Sequence, residues 1–214
     1  MKIQAAVFKK PSFAHPVRRK FRPKTRRTQH TAERLILLGL MLLALFGGAV
    51  IYLAFQSGMQ QEIASYYQAY CDAVEAPFML RLSASLLPAL GAGFLLLYLG
   101  TSPFGVWGVL GFLALRCAAT GSVAAFLVHS GGAAGIRAYF FGLFPGRALA
   151  LAALFLLSGH AIKCSVSLKS CLKRDSSAEP SWFVSYLRAC LPALTLLCAA
   201  SLTDALLQRF CVMA

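Results

Sequence analysis

From residue 35 onward the chain alternates long apolar runs with short polar or glycine-rich breaks. The first run covers residues 35–55. At 1.5 Å of rise per residue, about 21 residues of helix cross a hydrocarbon core roughly 30 Å thick. A cleaved signal peptide would carry a shorter apolar stretch, roughly 7–15 residues, with a small-residue cleavage site after it. A retained signal anchor is therefore expected. Four further runs follow, at residues 82–100, 104–128, 138–160 and 182–206. Thr101-Ser102-Pro103 divides the second from the third, Gly131-Gly132-Ala133-Ala134-Gly135 the third from the fourth, and the polar stretch 163–180 the fourth from the fifth. Residues 56–80 differ, being rich in Gln, Tyr and acids and free of Lys and Arg. Ile63, Tyr66, Tyr67 and Tyr70 recur there at helical spacing, which predicts an amphipathic helix at the membrane interface. The pattern predicts an all-α polytopic membrane bundle of about five transmembrane helices, with a flexible basic tail over 1–34 and a membrane domain over 35–214.

Composition supports this reading. Of 214 residues, 58% are hydrophobic and only 13% charged, where a soluble domain carries roughly a quarter. The net charge of +14 is concentrated at the start, because 11 of the 21 Lys and Arg lie in residues 1–34, opposed by Glu33 alone. Beside an apolar span such a tail sets topology and attracts anionic lipid. Arg18, Arg19, Lys20, Arg22, Lys24, Arg26 and Arg27 are its lipid-facing candidates. No nucleic-acid-binding signature accompanies the charge, so nucleic acid is not expected as a partner. The 163–180 loop adds Lys163, Lys169, Lys173 and Arg174, whereas residues 56–80 have no basic residue and the glycine-rich turn has only Arg137 nearby. Five crossings with the N-terminus inside and the C-terminus outside satisfy the positive-inside rule at each of these loops; four or six do not.

Chemistry is sparse. There is no HExxH, no GxSxG and no Walker A motif, and His15, His30, His129 and His160 lack metal-ligand spacing. The seven cysteines are odd in number, form no CxxC and fall largely in apolar runs, where Cys acts as a small hydrophobe. No catalytic residue, metal or cofactor is expected. The informative residues are charges within spans, which cost about 2.5–3.5 kcal/mol each at a helix centre and usually face the bundle interior. These are Arg116, Arg147 and Asp204, at roughly 20, 14 and 8 Å from the outer face by rise per residue. Asp204 is expected to pair with Arg147, or else with Arg116. Glycines at 91, 93, 100, 105, 108, 111, 142 and 146 predict close helix packing, and Pro145 and Pro192 predict bends.

An ordered series of segments carries a resemblance. The basic tail and first span are followed by Ser65-Tyr66-Tyr67, then Gly100-Thr101-Ser102-Pro103-Phe104-Gly105, then Leu115-Arg116-Cys117-Ala118-Ala119-Thr120-Gly121. Next come Leu143-Phe144-Pro145-Gly146-Arg147 and, at the close, Ala199-Ala200-Ser201-Leu202-Thr203-Asp204. Over roughly residues 35 to 210 the chain resembles the stage II sporulation protein M family of small five-span bacterial membrane proteins. It departs from that family at Cys117, where glycine is commoner, at Gly146, where a polar residue is usual, and at Asp204, where Glu is commoner. The resemblance implies a non-catalytic scaffold of endospore formation, at the septal membrane during engulfment, organising the peptidoglycan-degrading stage II sporulation proteins D and P. Tyr66, Tyr67 and Tyr70, with the glycine-rich turn, are the expected partner surface. The alternative is an integral membrane subunit of a transporter whose separate ATPase docks near residues 163–174.

Overall fold

A computed structural model describes residues 25–72, 76–173 and 181–212. The chain is helical throughout these segments, and no strand occurs among the described residues. The helices are α1 (Thr25–Ala54), α2 (Gln56–Asp72), α3 (Phe78–Gly100), α4 (Gly105–Ala138), α5 (Phe144–Lys173) and α6 (Ser181–Val212), with a π-helical turn at Tyr139–Leu143 joining α4 to α5. Four apolar helical stretches are long enough to cross a membrane: Ala32–Ala54, Phe78–Gly100, Gly105–Ser170 and Phe183–Gln208. The third, 66 residues long, is far more than one crossing requires. It doubles back at Gly132, whose φ of 51° and ψ of −128° suit glycine alone. A Cβ at Gly135 would strike the carbonyl oxygen of Leu127, so the chain closes tightly on itself across this reversal. Folded back there, this stretch has length enough for two crossings, and the protein is an all-α polytopic membrane bundle.

Large apolar side chains occur on both the outer surface and the inside of the bundle, with Leu96, Leu113, Leu157 and Leu197 fully buried. Leu35, Ile36, Leu43, Phe46, Leu87, Trp107 and Leu115 point outward, while Ala153, Ala161, Ala193, Ser158, Ser165 and Cys190 are fully or almost fully buried. Lipid tails solvate large side chains as well as a protein interior does, so outward Leu and Phe carry no penalty, and the small residues inside let backbones approach between the buried leucines. The main interfaces are α1 on α4, α5 on α6, and α3 on α5 and α6. Serine hydroxyls tie them together: Ser122 Oγ donates to the Gly48 carbonyl at 3.0 Å, Ser85 Oγ to Ser201 at 3.1 Å, and Ser165 Oγ to Ser102 at 2.7 Å.

Two ends can be told apart. Glu33 and Arg34 of α1, Val106 of α4 and His160 and Lys163 of α5 share one end, around an apolar groove of about 290 Å³. The opposite end holds α2, the start of α3, the reversal at Gly132 and the end of α6. There α2 touches α1, α4 and α6, and its Ile63 and Tyr67 pack on Tyr52, Phe126 and Leu143.

Several boundaries differ from the sequence reading. Helix α1 begins at Thr25, inside the stretch read as a flexible tail, so Arg26 and Arg27 stand on its first turn with side chains outside the described residues. Arg18, Arg19, Lys20, Arg22 and Lys24 also lie outside them. Helix α5 continues to Lys173, which puts Lys163 and Lys169 on helix rather than loop; its polar continuation carries no hydrophobic-run signal, but nothing breaks it. Helix α3 begins at Phe78, so Arg81 is helical. Pro145 follows directly on a π turn, where the α-helical pattern is interrupted: the Phe144 N–H reaches back to the Tyr139 carbonyl, and the widened turn accommodates the proline ring.

Candidate functional site

The polar groups of the spans converge at the α2 end. A cavity of about 390 Å³ is walled by α2, α3, α4, α5 and α6. The polar side chains are Tyr66 from α2, Arg81 and Ser85 from α3, Arg116 from α4, Arg147 from α5, and Ser201, Asp204 and Gln208 from α6. The three charges expected to meet therefore do line one space. Arg116 and Arg147 also share two adjoining spaces of about 30 and 300 Å³.

The reversal at Gly132 brings them together. Arg116 and Arg147 are nearly equidistant from it in sequence, so folding the run back at that glycine lays them side by side. The Arg147 guanidinium donates from Nη2 to the Tyr66 hydroxyl at 2.9 Å, which fastens α2 to the bundle. Arg147 also acts electrostatically on Asp204. The Asp204 carboxylate lies against Gly146: a Cβ there would sit 2.5 Å from Oδ1 and 3.0 Å from Cγ, so any larger residue would push the carboxylate aside. Oδ1 is buried and makes no hydrogen bond. One turn further along α6, Gln208 is 5% exposed and lines the same cavity.

Arg81 was not recognised from sequence. Standing one residue before the second apolar run, it reads as a loop cation. It is instead 5% exposed, on the first turn of α3. Its Nη1 makes a long hydrogen bond of 3.4 Å to the Ala205 carbonyl, its guanidinium lies 5.9 Å from the centre of the Phe78 ring, and its Nε is buried with no partner. A cation in the first turn of a helix also opposes the helix dipole. The available signal was an Arg flanked by Leu80 and Leu82 within apolar sequence.

The tyrosines divide. Tyr66 is exposed at its edge and bonded to Arg147. Tyr67 turns inward, its ring 6.3 Å from that of Phe126, so it is a packing residue and not open surface. The side chain of Tyr70 lies outside the described residues. His129 sits edgewise 6.4 Å from Tyr52 at the α2 end, while His160 lines the groove at the other end. Cys117, Cys164, Cys190 and Cys198 are free thiols. Among the described residues, no three His, Cys, Asp or Glu gather as metal ligands would.

No protein-family model, curated protein or solved structure matches this chain.

Proposed function

We propose that the protein is a non-catalytic membrane scaffold of endospore formation, the role implied by its resemblance to stage II sporulation protein M. In this reading it organises peptidoglycan-degrading partners, stage II sporulation proteins D and P, at the septal membrane during engulfment. The observation that supports it is the placement of α2. This helix is the most polar of the six. It lies across one end of the bundle and is held there by the Arg147–Tyr66 hydrogen bond, with Glu62 and Ser65 exposed. The opposite end carries Arg34, Lys163 and Lys169, and by the positive-inside rule it faces the cytoplasm. Helix α2 then faces the compartment that contains the cell wall.

The test is recovery of partners with tagged protein from membranes of sporulating cells. Wild-type protein is expected to bring down peptidoglycan hydrolases. Changing Tyr66, Tyr67 and Tyr70 to Ala is expected to remove most of that recovery. Because Tyr67 is a packing residue, Gln61→Arg with Gln68→Arg, at exposed positions of α2 that line neither of the arginine-walled spaces, provides a second loss that folding does not explain. Undiminished recovery from both variants would rule out α2 as the docking surface.

The cavity favours a second reading, a transport subunit. An intramembrane space walled by three guanidiniums and a carboxylate suits a solute path as well as a structural network. Recovery of an ATPase in place of hydrolases, lost on changing Lys169 and its neighbours on α5, would make transport the leading function.

A further inference from the structure

The charge in the cavity does not balance. Arg81, Arg116 and Arg147 line it, and among the described residues Asp204 is the only acid that does. Glu62 lines the adjoining space with Arg116 and Arg147, yet guanidiniums still outnumber carboxylates, and a buried cation such as Arg81 within a lipid-embedded bundle is costly unless an anion offsets it. Arg81 supplies an independent sign of an absent ligand. It is 95% buried by its 5% exposure, it lines the cavity, and its Nε has no hydrogen-bond partner although its other contact, to Ala205, is long. A buried donor left without an acceptor is rare and asks for a cause. Guanidinium groups match the geometry of phosphate oxygens, and two or three converging guanidiniums are a phosphate-binding arrangement. The volume of about 390 Å³ is in the range of small-ligand pockets. Ala84, Pro88, Ala89 and Ala150 complete an apolar wall against which a chain attached to the phosphate would lie.

We infer that this cavity binds a phosphate group, held by Arg81, Arg116 and Arg147, with Asp204 limiting the net attraction. The inference rests on the cavity alone and holds whether or not the protein is a scaffold. The phosphate belongs either to a lipid headgroup entering from the bilayer or to a free phosphate entering from water.

Purified full-length protein distinguishes the two. In one arm it is placed in nanodiscs of phosphatidylcholine with or without phosphatidic acid, and lipid retained after transfer to detergent is counted by native mass spectrometry. In the other, inorganic phosphate is titrated against chloride at matched ionic strength and the rise in Tm is read. Selective retention of phosphatidic acid assigns the lipid source; a Tm rise with inorganic phosphate alone assigns the free anion. In either case Arg81→Gln is expected to weaken binding by about tenfold or more, the effect of losing a charge-assisted hydrogen bond. Asp204→Asn is expected to tighten it, a change of the opposite sign that a folding defect cannot mimic. Lys169→Gln, exposed at the far end of the bundle, should leave it unchanged. The inference is overturned if neither probe binds in preference to its control, if Arg81→Gln and Lys169→Gln behave alike, or if Asp204→Asn weakens binding.

Discussion

Replacing Gly48 or Gly121 with Leu is expected to prevent the folded protein from accumulating, while Gly47→Leu is tolerated. A Cβ at Gly48 would overlap the backbone of Ala118, and one at Gly121 would overlap the carbonyl of Leu45. The two contacts are reciprocal and involve main chain on both sides, so no rotamer change relieves them. The helices must separate, and with them goes the Ser122–Gly48 hydrogen bond of 3.0 Å. Overpacking a core costs about 1–3 kcal/mol even where side chains can shift, and more than about 3 kcal/mol is expected where only backbone can. At Gly47, one residue away, a Cβ meets nothing within 4 Å. Size-exclusion profiles and Tm of the three variants in mild detergent decide the matter. Equal behaviour of Gly47→Leu and Gly48→Leu would show that α1 and α4 do not cross at this point.

The second large effect concerns charge. Asp204→Arg puts a fourth guanidinium into a space already lined by three, without its carboxylate, and is expected to abolish accumulation in the membrane. Arg147→Asp alone places a second acid beside Asp204 and removes the hydrogen bond to Tyr66, and is expected to reduce accumulation severalfold. Combining the two restores one acid and three bases. The double variant should recover more protein than either single one, as measured by immunoblot of washed membranes. Failure to do so would mean that Asp204 and Arg147 do not act as a pair.

The fold class was legible because the bilayer imposes a length and an apolarity that few residues violate. The reversal between the third and fourth segments was legible for the same kind of reason: Gly131 to Gly135 supplies the backbone freedom that a tight turn requires, and Gly132 uses it. Arg116, Arg147 and Asp204 stood out as costly charges inside apolar sequence, and the structure lays them along one cavity.

What stayed hidden depends on which face of a helix a residue occupies. The glycine ladder at 105, 108 and 111 marks contact at Gly105 and Gly108, but Gly111 and Gly91 meet nothing within 4 Å. The tight crossing of α1 and α4 instead uses Gly48 and Gly121, which no spacing within one helix could pair. Arg81 was missed because hydropathy locates a span's edge only to within a few residues, and those residues decide whether an arginine is solvated or buried. Tyr66 and Tyr67 are neighbours in sequence, yet one faces the cavity and the other packs on Phe126.

The partner surface on α2 depends on one claim, that α2 and the end of α6 lie outside the cell membrane while the end of α5 lies inside. The direct test is cysteine labelling in a cysteine-free background, with Glu62→Cys on α2 and Lys169→Cys on α5, both at exposed positions. A membrane-impermeant maleimide is predicted to label Glu62→Cys in intact cells and Lys169→Cys only after permeabilisation. Labelling of Lys169→Cys in intact cells, or protection of Glu62→Cys until the membrane is opened, would contradict the account.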